Sequence, residues 1–349
     1  MVVELLQKAV SMGGSDIFLI PGSCATVKVN SQMVHLNDQR MLPADCDKLV
    51  EQMYELAHRD IKLLDREGDD DFSFAIKDVS RFRCNAYMQR GTVAAICRIV
   101  NFELPQINEL CIPEIVIGLC AQRSGMVLVT GPAGSGKSTT LACMIDKINE
   151  TRNAHIITIE DTIEYLHRHK KSLVIQREVP NDAATFSRAL RAALRQAPDV
   201  VMLGEMRDLD TIRTAITAAE TGHLLLSSLH TIGAAKTVDR IIDTFPAEQQ
   251  TQIRVQLSMV LKAVVSQRLV PTVSGGRVPV FEVMTVNPAI QNMIRDGRTH
   301  QIDNVIYGGS DKNMLSMDAE LQRLVRAGTI TKEIALLYAA NPETLAKRI

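Results

Sequence analysis

Residues 131–139 read Gly-Pro-Ala-Gly-Ser-Gly-Lys-Ser-Thr and follow the apolar run Met126-Val127-Leu128-Val129, so a buried strand passes straight into a phosphate-binding loop. The spacing G-x-x-x-x-G-K-S sets glycines where the backbone must curl until successive N–H groups face phosphate oxygens. The nucleotide-binding set read from it is Gly131, Ala133, Gly134, Ser135, Gly136, Lys137, Ser138 and Thr139. Lys137 places an ammonium at the β- and γ-phosphates, and Ser138 offers a hydroxyl to magnesium. The following segment carries Leu141, Met144, Ile145 and Ile148 on one helical face, the strand–loop–helix context the motif requires.

Phosphate chemistry also needs a carboxylate on the metal side and a group that orients water. Three segments offer candidates. Val200-Val201-Met202-Leu203 followed by Gly204-Glu205 is a buried strand ending in an acid, as in a Walker B strand, with a strand-terminal ion pair as the plain alternative for Glu205. The stretch Ile159-Glu160-Asp161-Thr162-Ile163-Glu164 crowds acids at another strand end, and the residues alone do not choose Glu164 over Glu160. The strand 224–229 runs into His230-Thr231, where a histidine is either a polar sensor at the same sheet edge or a structural group. Two basic rows stand apart: Arg81 and Arg83, which share one face of a strand, and Arg188, Arg191 and Arg195 on one face of the helix before Asp199.

These residues must be positioned by at least two domains, since 349 residues exceed one small core. Residues 1–100 read as α+β: a first helix, short strands near 16–20 and 25–30, helix from 43 to about 64, and strands near 71–76, 81–87 and 93–100. The proline-containing stretch 101–113 is the expected linker. Residues 114–349 alternate strands (126–130, 155–160, 200–203, 224–230) with helices, the pattern of a parallel sheet, and turn largely helical after Phe245-Pro246 apart from a β-like stretch at 278–284 and helices near 288–295 and 317–327.

The net charge of −1 argues against gripping bulk nucleic acid. The seven cysteines show no metal spacing and fit buried thiols of a reducing cytosol, and no apolar run reaches membrane-spanning length.

The ordered segments GPAGSGKST, TIEDTIEY, VVMLGEMRD, TAAETGHLLLSSLHT and FPAEQQ resemble the type II/IV secretion ATPases and, within them, the PilT-like type IV pilus retraction ATPases. SDIFLIPG, DFSFAI and SRFRCNAY are similar to that family's first domain, so the resemblance spans nearly the whole chain. It implies an amino-terminal PAS-like α+β domain and a RecA-like P-loop ATPase domain with a helical carboxy-terminal part. It further implies a cytoplasmic homohexamer working at the inner membrane on a pilus or secretion platform protein, with a sister motor as a possible companion. The cofactors implied are ATP and Mg2+. Carried onto these positions, Lys137 and Ser138 hold phosphates and magnesium, Glu205 is the Walker B acid, Glu164 the general base, and His230 belongs to the histidine box. Arg81, Arg83 and Arg98 become candidate arginine fingers acting in trans.

The stretch 288–295 is similar to the motif of retraction motors, with Ala289, Ile290, Asn292, Ile294 and Arg295 fitting it. Gln291 stands where an arginine is usual, Thr162 where a proline is common, and Ala197 where an acid is usual. These departures keep a conjugation or type IVB secretion motor as the alternative within the family. A RecA-like nucleic-acid translocase is the alternative outside it.

Overall fold

The computed structural model describes residues 2–29, 32–100, 104, 105, 107, 110–308 and 313–349. The chain divides into two compact units, one of residues 1–103 with 164–166 and the other of residues 104–163 with 167–349. Of the expected linker, positions 101–103, 106, 108 and 109 lie outside the described residues.

The first unit comprises α1 (Val2–Ser11), β1 (Asp16–Leu19), β2 (Cys24–Val29), β3 (Gln32–Arg40), α2 (Pro43–Leu56), α3 (Lys62–Glu67), β4 (Asp69–Ile76), β5 (Ser80–Gln89) and β6 (Thr92–Val100). Its strands form one sheet in the order β3-β2-β1-β6-β5-β4 with antiparallel pairing throughout. Period-two alternation sends Phe82, Cys84 and Ala86 of β5 into a core shared with Leu6, Leu49 and Met53 of the helices, while Arg81 and Arg83 point the other way. Tyr54, Phe72, Phe74 and Phe82 continue that core as a chain of rings with centroids 4.5, 6.4 and 5.4 Å apart, within the range of favourable aromatic contact. The Arg59 guanidinium forks onto Asp70 with both contacts at 2.7 Å, and the Tyr54 hydroxyl donates to the same carboxylate at 3.0 Å, tying the end of α2 to β4. Strand β3 was not expected: it pairs at the sheet edge and buries only Leu36, and its apolar alternation is confined to Val34 and Leu36.

The second unit contains α4 (Glu114–Gly118), β7 (Gly125–Thr130), α5 (Lys137–Thr151), β8 (His155–Glu160), β9 (Leu173–Glu178), α6 (Phe186–Ala193), β10 (Val200–Leu203), α7 (Leu209–Glu220), β11 (Leu224–Leu229), α8 (Ala234–Asp243), α9 (Ala247–Val260), β12 (Leu261–Pro271), β13 (Arg277–Thr285), α10 (Pro288–Arg295), α11 (Ile302–Tyr307), α12 (Met317–Arg326), α13 (Lys332–Tyr338) and α14 (Pro342–Ala346). The sheet order is β13-β12-β7-β11-β10-β8-β9, parallel except for the β12–β13 pair. Both faces are covered. Met126 and Leu128 of β7 join one core, and Val127 and Val129 join the other. The same split places Val201 and Leu203 opposite Val200 and Met202. Each such side chain contributes about 1.5–3 kcal/mol by leaving water.

Two expectations need correction. The stretch after Pro246 is not largely helical, because β12 is an eleven-residue strand that starts where α9 ends. Its residues 261 and 263–267 are buried whatever their polarity, so they show no period-two alternation to separate them from the helix. Arg195 does not share a helical face with Arg188 and Arg191, because α6 ends at Ala193.

Candidate nucleotide site

The loop between β7 and α5 has the positive φ angles the motif needs at Gly131 (145°), Gly134 (74°) and Gly136 (89°). Close packing makes two of them obligatory as well. A Cβ at Gly131 would lie 2.1 Å from the Gln267 carbonyl oxygen, and one at Gly136 would lie 2.9 Å from Gln267 Nε2. Gln267, on β12, is buried, and its Oε1 accepts from the Thr140 hydroxyl in the first turn of α5 at 2.7 Å. One residue earlier on β12, Ser266 is the register partner of Thr130 on β7, and the two share a hydroxyl contact of 2.8 Å. β12 is therefore the floor of the loop.

The loop's polar groups converge on one space. Lys137 Nζ donates to the carbonyls of Gly131 and Pro132, both at 2.9 Å, so the ammonium bends back over the loop. Ser135 Oγ is buried without a hydrogen-bond partner among the described residues, which suits a phosphate oxygen as its acceptor. These donors stand at the amino end of the fifteen-residue α5, where the helix dipole favours negative charge. The residues present thus fit a nucleotide, and Ser138 beside them fits the magnesium that accompanies its phosphates.

A second group sits at the carboxyl ends of β8, β10 and β11, which the parallel register brings to the same edge as the end of β7. The Gly204 N–H donates to the Ile159 carbonyl at 2.8 Å, and Ser228 Oγ donates to the Gly204 carbonyl at 2.6 Å, so three strand ends are pinned together. Glu205 follows, only 7% exposed. Its Oε1 is ion-paired with Arg207 Nε, and its Oε2 lies 3.3 Å from His230 Nε2. Glu205 and His230, separated by 25 residues, are thus brought into contact, and both line a cleft of about 370 Å³ with Arg207 and Arg240. Sequence reasoning missed Arg207 and Arg240. Arg207 stands two residues past the acid, inside the motif already quoted.

The acidic segment separates by environment. Glu160 is half-buried and accepts from the Thr158 hydroxyl at 2.6 Å and from Gln176 Nε2 at 3.4 Å. Glu164 is exposed and lies in the short segment counted with the first unit. Glu282 on β13 is a further buried acid that sequence reasoning passed over. It accepts from the Ala234 N–H at 3.2 Å at the start of α8, just after His230, and burial holds its carboxyl above the usual range. In the first unit, Arg83 and Arg98 are directly opposed on β5 and β6, and Arg81 shares their outward face. Arg98 Nε also pairs with Asp16 at 2.9 Å.

A parallel sheet covered on both faces, with a Walker-type loop after an interior strand and acids at neighbouring strand ends, defines a P-loop ATPase domain joined to an amino-terminal sheet domain. Residues 2–336 match the family model described as type II/IV secretion system protein, and the chain belongs to that family. It is 42% identical over 343 residues to the type IV pilus retractation ATPase PilT of Pseudomonas aeruginosa, covering 98% of this chain and 99% of that one. Among solved structures it resembles the pilus retraction motor PilT with bound ADP at a TM-score of 0.92 and 44% identity, covering 99% and 98% of the two chains. The ATPase DotB of Legionella pneumophila matches at a TM-score of 0.85 and 25% identity, with 99% and 95% covered.

Proposed function

We propose that this chain is a hexameric ATPase motor that converts ATP hydrolysis into retraction or disassembly of a type IV pilus. The observation that carries the reading is full-length likeness to a pilus retraction motor together with an intact phosphate loop. In this reading residues 1–100 form the PAS-like domain, 101–113 the linker and 114–349 the ATPase domain. The motor works in the cytoplasm, held at the inner membrane by a pilus platform protein, with a sister motor as companion.

The chain's own groups divide the labour. Lys137 and the loop N–H groups of residues 133–139 bind and neutralise the β- and γ-phosphates. Magnesium, held by Ser138 and on the far side by Glu205, would supply further neutralisation of phosphate charge. Glu164 takes the proton of the attacking water, and His230 orients Glu205 through their 3.3 Å contact. Arg81, Arg83 and Arg98 reach the nucleotide of another subunit as fingers, which couples hydrolysis to movement of whole domains.

Helix α10 is where motion leaves the ATPase domain. Asn287 caps it by accepting from the Ile290 N–H at 3.0 Å, Ile290 and Ile294 are buried, and Asn292 and Arg295 face solvent joined by a 2.6 Å hydrogen bond. The double substitution Asn292→Ala with Arg295→Ala should leave ATP turnover and ring assembly intact while stopping retraction, followed by imaging labelled pili in living cells. Unimpaired retraction would remove α10 from the reading. Cells lacking the chain altogether should extend pili that never retract. If they instead retract normally but lose conjugative transfer or effector delivery, the chain is a secretion motor, the reading that the departures at Gln291, Thr162 and Ala197 keep open.

A further inference from the structure

The carboxyl end of α5, roughly 20 Å along the helix from Lys137, carries a second concave feature. It is a pocket of about 430 Å³ with the half-buried Ile117 and buried Cys120 on its floor, and exposed Ala121 with Arg123, Lys147 and Arg152 around it. Among the described residues none of these three cations is in an ion pair. The acids nearest in sequence are already engaged. Lys170 bridges Asp146 at 2.9 Å and Glu150 at 2.8 Å, and with the His167 ring 3.9 Å away the Asp146 carboxyl is held below its usual range. Burial pushes the Cys120 thiol up to about 12 even though Lys147 and Arg152 both pull it down, so two cations stand close to the floor. Arg152 is held in place by donating Nη1 to the Gln122 carbonyl at 2.9 Å.

In a chain of net charge −1, a local set of like charges around an apolar floor is repulsive unless something anionic sits there. We propose that this pocket docks an acidic peptide segment of a protein partner, with an apolar side chain on the floor and carboxylates on Arg123, Lys147 and Arg152. A peptide is favoured over a membrane surface because the floor is concave and apolar, which a side chain reaches and a plane of headgroups does not. The site lies away from the nucleotide loop, and the proposal is independent of what the motor moves.

The probe is a fluorescein-labelled peptide with a central leucine flanked by glutamates, its binding to the full-length protein read by anisotropy. The wild type should bind it, with affinity falling as salt rises. The variant R123Q/K147Q/R152Q should bind at least tenfold more weakly, with ATP turnover and assembly size unchanged. Ala121→Trp, which fills the pocket from an exposed position and leaves the charges in place, should weaken binding as much. Equal binding by either variant overturns the proposal. So does binding of vesicles rich in anionic phospholipid that is sensitive to both variants while the peptide fails to bind, which would make the site a lipid contact. Loss of assembly in the triple variant would also overturn it, by making a second copy of this chain the occupant.

Discussion

The two sheets of this molecule put polar chemistry in different places. In the antiparallel sheet of the first unit, one face packs on a core and the other faces outward, so Arg81, Arg83 and Arg98 are displayed on a flat surface by alternation alone. In the parallel sheet of the second unit both faces are buried, and functional groups are confined to the strand ends and the loops after them. A buried strand can offer chemistry only where it stops. That is why Lys137, Glu205 and His230, far apart in sequence, belong to one sheet edge, whereas the arginines of the first unit are neighbours on adjacent strands.

The comparison breaks most sharply at the phosphate loop. Lys137→Ala should lower ATP turnover by about two to three orders of magnitude with the circular dichroism spectrum unchanged, and a variant retaining more than about a tenth of wild-type rate would end the assignment of the edge as catalytic.

The acidic segment gives the next largest effect. Glu164→Gln should retain nucleotide binding and lose turnover by about two orders of magnitude, while Glu160→Gln, whose carboxylate is occupied by Thr158 and Gln176, should cost less. The opposite ranking, measured by single-turnover hydrolysis and nucleotide binding side by side, would move the general base to Glu160.

For the flat face of the first unit, Arg83→Ala and Lys137→Ala proteins should each be impaired alone and recover part of the activity when mixed, on the order of a tenth of wild type, as a finger supplied in trans requires. No recovery across mixing ratios would confine the arginine's action to its own chain.

The smallest expected change concerns the floor of the loop. Gln267→Leu keeps volume but strips the acceptor from the buried Thr140 hydroxyl, a loss of about 1 kcal/mol that should weaken nucleotide binding roughly fivefold, read by calorimetry, with kcat nearly unchanged. A fall in kcat without weaker binding would give Gln267 a part in the chemistry instead of in holding the loop.

The sequence by itself determined the phosphate loop, because its glycine spacing is a backbone requirement that few other structures impose. It also determined the strand ends at Glu205 and His230 and the alternating face that bears Arg81 and Arg83, since period-two burial is written residue by residue. It did not disclose β3, most of whose side chains are polar at a sheet edge, or β12, whose apolar residues, interrupted by Lys262 and by Ser266-Gln267-Arg268, follow no period of two. The tertiary structure alone decided that β12 lies beside β7 and that Gln267 fills the space under Gly131 and Gly136. It alone decided that Glu205 is clasped by Arg207 and His230 and that three cations gather at the far end of α5. Contacts between residues tens of positions apart depend on which strands become neighbours, and strand order is set by packing of the whole sheet, which no local pattern encodes.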